Sequence, residues 1–137
     1  MVRVEVLRKR LEKLEEYLQI LHRLRETPLA TFLENPEKYG SAERFLQLAI
    51  EAIDDIGSHL VADLQLGTVE WYRDVPELLC EAGYIDETLY QRWLRMIGFR
   101  NILVHDYLDI DRHQVYQILQ NHLEDFDQIR SIFAQFL

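Results

Sequence analysis

The sequence predicts an all-α protein, an up-and-down bundle of four long helices joined by short ones. Apolar residues recur at alternating spacings of three and four in four long stretches, and no stretch shows convincing strand alternation. Only five glycines and three prolines punctuate 137 residues, so the elements are few and long, which speaks against a sandwich or barrel. A chain of this length reads as one domain, 1–137, that buries about two-thirds of its unfolded surface.

The first helix is expected over residues 3–26, where Val4, Leu7, Leu11, Leu14, Leu18 and Leu21 form one stripe and Pro28 closes the run. LATFLENPEKYG, 29–40, reads as a short helical piece broken by Asn35-Pro36 and Gly40. Ser41 is the expected N-cap of the second long helix, whose stripe Ala42, Leu46, Ala49, Ile53, Ile56, Leu60 runs down towards Gly67. After a linker containing Trp71, a short helix is expected over 75–82, ended by Gly83. Asp86 can cap the next helix, 87 to about 106. Asp109 or Asp111 can cap the last, with Val115, Ile118, His122, Phe126, Ile129, Phe133 and Phe136 on one side. The closing SIFAQFL is apolar enough to need a docking surface, on the bundle or on a second subunit.

Composition narrows the function. A net charge of −9 speaks against broad nonspecific nucleic-acid binding, which depends on cationic side chains neutralising phosphates. The charge is uneven, however: Arg3, Arg8, Lys9, Arg10 and Lys13 crowd the first helix, and Arg92, Arg95 and Arg100 follow one another without an acid between them. The lone Cys80 excludes an internal disulfide and reads as a small apolar residue in a reducing compartment. No apolar run reaches the roughly 18 residues of a membrane span, and the mixed charges of MVRVEVLRKRLEKLEEYLQIL suit neither leader nor anchor. A cytoplasmic protein is expected. His22, His59, His105, His113 and His122 are scattered, with no spacing that would ligate a metal.

One segment breaks the pattern: GFRNILVHDYLDID, residues 98–111. Two stripes run along its helix, Trp93, Met96, Arg100, Leu103, Tyr107 and Tyr90, Leu94, Ile97, Asn101, Val104, Leu108. Together they would form a wide apolar face in the bundle centre, yet both turn polar at one level, Arg100 and Asn101. A buried arginine must pair, reach water or face a cleft; Asp54 and Asp55 are candidate partners. On an ideal helix Arg100 and Tyr107 lie roughly 20° apart, whereas His105 is roughly 140° from Arg100. Asn101 and His105, four apart, are placed for the amide to bond the imidazole. Arg100 and His105 could therefore share one phosphate only where the helix frays, or across a subunit boundary. Tyr107 by itself would be a core or interface residue, and His105 a capping or core one.

Arg100, four residues, His105, one residue, Tyr107 resembles the R-x(4)-H-x-Y signature of HEPN-domain ribonucleases, and specifically the HepT toxins of MntA–HepT toxin–antitoxin pairs. RNILVHDYLDID and ERFLQLAIEAIDDIG (43–57) are similar to that branch, and the likeness covers nearly the whole chain. The resemblance implies a HEPN-like dimer that cleaves RNA, tRNA or mRNA, without a metal or other cofactor, in a cleft lined by both subunits. It implies His105 and Arg100 as the catalytic pair. Histidine, which changes charge near neutral pH, suits acid–base work on a 2′-hydroxyl; arginine suits bidentate stabilisation of a phosphorane-like state. Asn101 would support them by orienting the histidine or binding phosphate. Tyr107 would be the residue that an MntA-like nucleotidyltransferase antitoxin AMPylates, setting charge and bulk in the RNA path. DNA, lacking the 2′-hydroxyl, would be spared. The alternative is a noncatalytic HEPN-like binding partner of a minimal nucleotidyltransferase, a role the −9 charge would suit.

Overall fold

A computed structural model describes residues 1–137. It is all-helical: α1 (Val4–Arg25), α2 (Leu29–Glu34), α3 (Pro36–Asp63), α4 (Asp74–Glu81), α5 (Glu87–His105), α6 (Arg112–Asn121) and α7 (Leu123–Ala134), with a 3-10 turn at Tyr107–Asp109 between α5 and α6. No helix is long and apolar enough to cross a membrane.

The leucine stripe of α1 is buried from Leu7 to Leu24, while Val4, expected to begin it, is exposed at the helix entry. It packs on α3, whose Ala42, Leu46, Ala49, Ile53, Ile56 and Leu60 are all inside. Arg3 meets Asp63 and Arg10 meets Asp55, so the two helices run antiparallel. On the other flank His22 lies against Asp127 and Arg130 against Glu15, which lays α7 antiparallel to α1. One continuous core draws residues from all seven helices.

Three boundaries differ from the sequence expectation. α3 begins at Pro36, not Ser41: the Asn35 side chain accepts the Glu37 N–H at 2.9 Å, and Pro36 occupies the first turn. Asn-Pro is thus a helix start, since proline lacks only a donor that the first turn leaves unpaired, and Gly40 and Ser41 lie inside the helix. At its other end α3 stops at Asp63 rather than near Gly67. Gln65 N–H bonds Ala62 C=O and Leu66 N–H bonds Val61 C=O, with Gln65 in the left-handed region at φ 55°. The last helix is two: Asp111 caps α6, and the chain kinks at His122 before α7. The kink buries Leu119 and Leu123 and leaves His122 exposed, whereas one straight helix would have put Ile118 and His122 in the stripe. α4 ends as expected at Gly83, whose φ of 85° closes the same kind of cap. The C-terminal segment docks on its own bundle: Phe133 is buried and Phe136 packs on Tyr84, ring centroids 5.4 Å apart.

Candidate active site

All four candidate residues lie at the end of α5 or just beyond it. Asp86 caps the helix start, its carboxylate accepting the Leu89 N–H at 2.8 Å. Leu89, Trp93, Met96, Phe99 and Leu103 form the buried face, set against α3 and α4. The second expected stripe does not lie in the bundle centre. Tyr90, Leu94, Ile97 and Val104 are only half-buried, and Asn101 and Leu108 are exposed. α5 is an edge helix, and α3 and α4 cover only one of its sides. Its outward strip is Leu94, Ile97, Gly98, Asn101, Ile102 and His105, apolar except at the two motif residues.

Arg100 sits where the buried face meets this open flank. Its Nε donates to Glu51 Oε2 at 3.1 Å, and Nη2 lies 3.1 Å from the same oxygen. Gln47 donates to that oxygen as well, at 3.2 Å, fixing the carboxylate from its own helix. The partner is therefore neither Asp54 nor Asp55. Asp54 accepts the Trp93 indole N–H at 2.9 Å, and Asp55 faces α1, 3.2 Å from Arg10 and 3.5 Å from His59. Arg100 Nη1 donates to Asn101 Oδ1 at 3.3 Å. The expected Asn101–His105 bond is not formed, because the charged guanidinium, the stronger donor, holds the amide oxygen.

His105 is the last residue of α5, exposed and without a side-chain hydrogen bond. Asp106 leaves helical geometry at φ −119° and ψ 34°, so Tyr107 falls in the 3-10 turn rather than on the Arg100 stripe. Its ring is 65% exposed, not core. Beneath the site, burial raises the Asp54 carboxyl from 3.8 to about 7; the Trp93 bond and the Arg100 charge oppose the rise, and Glu51 adds to it.

Two concavities open beside these residues. One, about 440 Å³, is walled by Trp71, Tyr72, Arg73, Ile97 and Asn101. Its linker is pinned by Asp74, which accepts the Glu70 and Trp71 N–H groups at 3.0 Å each. The other, about 370 Å³, lies between α1 and α3 and has Glu51 in its wall. A third, about 400 Å³ between α5 and the α6–α7 pair, has a floor of Met96, Phe99 and Phe126 and contains none of the four motif residues. Arg92 on its rim is held by Asp125 at 2.7 Å, while Arg95 is exposed. No three His, Cys, Asp or Glu side chains converge into a set that could ligate a metal ion.

Sequence reasoning missed Glu51 and the Trp71–Tyr72 wall. Nothing in the α3 pattern shows which acid meets Arg100, because that level is set by the fold of the 64–86 connection. The adjacent aromatics in a helix-free linker were a usable signal for the wall.

Residues 7–131 match the family model described as ribonuclease HepT-like. Over 83 residues the chain is 40% identical to the mRNA nuclease HepT of Shewanella oneidensis, a match spanning 61% of this chain and 62%, less than two-thirds, of that protein. It is 31% identical over 124 residues to the tRNA nuclease HepT of Aphanizomenon flos-aquae, covering 88% of this chain and 82% of the relative. Among solved structures it is similar to a tri-AMPylated Shewanella oneidensis HEPN toxin in complex with an MNT antitoxin, with TM-score 0.87, 27% identity, and 95% and 97% of the two chains covered. With the family match extending over nearly its whole length, the chain belongs to the ribonuclease HepT-like family.

Proposed function

We propose that this protein is the endoribonuclease toxin of a toxin–antitoxin pair, with Arg100 and His105 as its catalytic residues and Asn101 in support. A nucleotidyltransferase antitoxin silences it by AMPylating Tyr107. The observation that carries the reading is the contrast along the end of α5: a guanidinium held in place by Glu51 and Asn101 and, five and seven residues further on, an imidazole and a phenol that are exposed.

The chemistry follows from these groups. His105 takes the proton from the ribose 2′-hydroxyl, whose oxygen attacks the adjacent phosphorus. The bond to the 5′ oxygen breaks, a second histidine donates the proton that this oxygen needs, and a cyclic phosphate remains. Arg100 neutralises the charge that builds on the phosphorane oxygens. No metal or other cofactor enters these steps, and DNA is not cut. A single chain offers one His105, placed well around the helix from Arg100. A homodimer packed through the Leu94, Gly98 and Ile102 side of the outward strip of α5 supplies both histidines, brings both arginines to one cleft and leaves Ile97 and Asn101 open to it. Tyr107, two residues past His105, is then at the mouth of that cleft, where an added AMP blocks an RNA phosphate by charge and bulk. The substrate is tRNA or mRNA, and the protein acts in the cytoplasm.

The Arg100–Glu51 pair favours a second reading, a noncatalytic partner of a nucleotidyltransferase in which Arg100 is structural. Cleavage of diverse RNAs by wild type, His105→Ala and Arg100→Ala separates the two. The toxin reading expects each substitution to cost at least about a hundredfold in rate, with chelators without effect. Cleavage retained in both variants would overturn the catalytic assignment, and no cleavage of diverse RNAs by unmodified wild type would favour the second reading. Coexpression with the nucleotidyltransferase should add AMP-sized mass that Tyr107→Phe abolishes.

A further inference from the structure

Two concavities each contain one hydrogen-bond partner of Arg100. Glu51 lines the α1–α3 groove and also holds Arg100; Asn101 bonds Arg100 and also lines the Trp71–Tyr72 cleft. Glu51, Arg100 and Asn101, bonded in series, thus form a path of linked residues from the α1 groove to the linker before α4. We propose that this path is the track of a single-stranded RNA, with phosphates on the α1 side and unpaired bases on the Trp71–Tyr72 side of the cleaved bond. The proposal rests on the ribonuclease reading and deepens it.

The two ends differ in the chemistry they offer. Along α1, Lys9, Lys13 and Tyr17 follow at intervals of four, one ridge in which each step advances about 6 Å. Arg10 adds a third cation but is paired with Asp55, Glu51 is paired with Arg100, and Glu16 contacts Lys13, so the cation left without a partner in the groove is Lys9. Lys9 is exposed and has no ion-pair partner, and the Lys13 side chain is 62% exposed despite its contact with Glu16. Lys9 is free to meet a phosphate, and Lys13 can exchange its exposed contact with Glu16 for one. At the other end Trp71 and Tyr72 are 63% and 55% exposed, large aromatic rings left in water on a linker that Asp74 holds rigid. Stacking of bases on such rings needs no sequence match but does need bases freed from a duplex. That predicts a preference for loops and single strands over helices.

The test compares wild type with Lys9→Glu/Lys13→Glu and with Trp71→Ala/Tyr72→Ala. The positions are exposed, and thermal unfolding confirms that each variant is folded. The probes are a labelled single-stranded RNA of about twelve nucleotides, the same RNA annealed to its complement, and a dinucleotide. The lysine variant should raise KM for the single strand about tenfold and reduce the slope of log(kcat/KM) against log(salt) by about 1.4, the value for two lost phosphate contacts. It should leave dinucleotide cleavage unchanged. The aromatic variant should raise KM about tenfold or more without changing that slope, and should lose the preference for single over double strand. Wild-type KM for the long RNA in both variants overturns the track while the ribonuclease reading stands. So does an equal loss on dinucleotide and long RNA, or weakened capture by a coexpressed nucleotidyltransferase with normal cleavage, which would assign the surfaces to that protein. Absence of any cleavage by wild type overturns the ribonuclease reading and the track with it.

Discussion

Arg100 is bound to Glu51 by two of its nitrogens, Nε and Nη2, each 3.1 Å from one carboxylate oxygen that Gln47 also holds. The remaining nitrogen, Nη1, is turned to Asn101 on the open flank of α5. The ion pair is partly solvated, with side-chain exposures of 26% and 35%, so it adds little to stability. What it does is fix the direction of a flexible side chain.

Glu51 is accordingly a positioning residue, and its replacement should act on turnover rather than on folding. Glu51→Gln is expected to lower kcat about ten- to a hundredfold with little change in KM, because a guanidinium misplaced by about 1 Å no longer meets the transition state. Glu51→Asp should recover part of the loss. Steady-state kinetics on one RNA decide this. A rise in kcat would show instead that Glu51 competes with the substrate for Arg100.

Asp54 makes stability depend on pH in a defined window. Its folded pKa, raised to about 7 by burial, lies above the unfolded value of 3.8, so the folded chain binds the extra proton between these values. The stabilising contribution is whole below about pH 4 and fades as pH rises through 7. Asp54→Asn removes this titration and keeps an oxygen for the Trp93 indole. Denaturant unfolding at pH 5 and pH 8 should show wild type losing about 2–3 kcal/mol more than the variant over that interval. Parallel pH dependence in the two proteins would contradict the buried, protonated carboxyl.

Much of this architecture is legible in the pattern of α1 and α3, because a leucine or isoleucine stripe with a 3.6-residue period has only one face to bury. The boundaries at Pro36 and Asp63 were less so: Asn-Pro serves as a break or as a start, and only the Asn35 bond to Glu37 N–H decides which. The kink at His122 is invisible because Ile118 and His122 continue a helical period as well as Leu119 and Leu123 do. For the site, Arg100, Asn101, His105 and Tyr107 stand out as polar interruptions and by family signature. Their relations do not, since Glu51 enters from a different helix and the turn after His105 re-aims Tyr107.

At Gly57 α3 approaches both α4 and α5 closely. A Cβ there would lie 2.5 Å from Val75 Cγ1 and 3.1 Å from two atoms of the Trp93 ring. Gly57→Ala should therefore cost stability, about 1–3 kcal/mol, although alanine is the better helix former. By displacing the Trp93 ring it should also disturb the Asp54 bond and hence the floor under Arg100. Near-UV circular dichroism and a lowered melting temperature would register both effects. Unchanged stability would mean that α4 slides away freely.

Gly98 presents the opposite case on the same helix. It is exposed, and a Cβ added there meets no atom of the chain within 4 Å. For an isolated chain Gly98→Ala should stabilise α5 by up to about 1 kcal/mol, and Gly98→Gln should be harmless. If two copies pack through the outward strip of α5, this glycine lies in the contact and lets the helices approach closely. Gly98→Gln should then shift sedimentation from twice the chain mass towards the 16.4 kDa of one chain, with melting by far-UV dichroism unimpaired when measured on the monomer. RNA cleavage should fall with the dimer fraction, since one His105 cannot serve as both base and acid. A stable, fully active dimer of Gly98→Gln would place the subunit contact on another face and remove the α5 strip from the catalytic cleft.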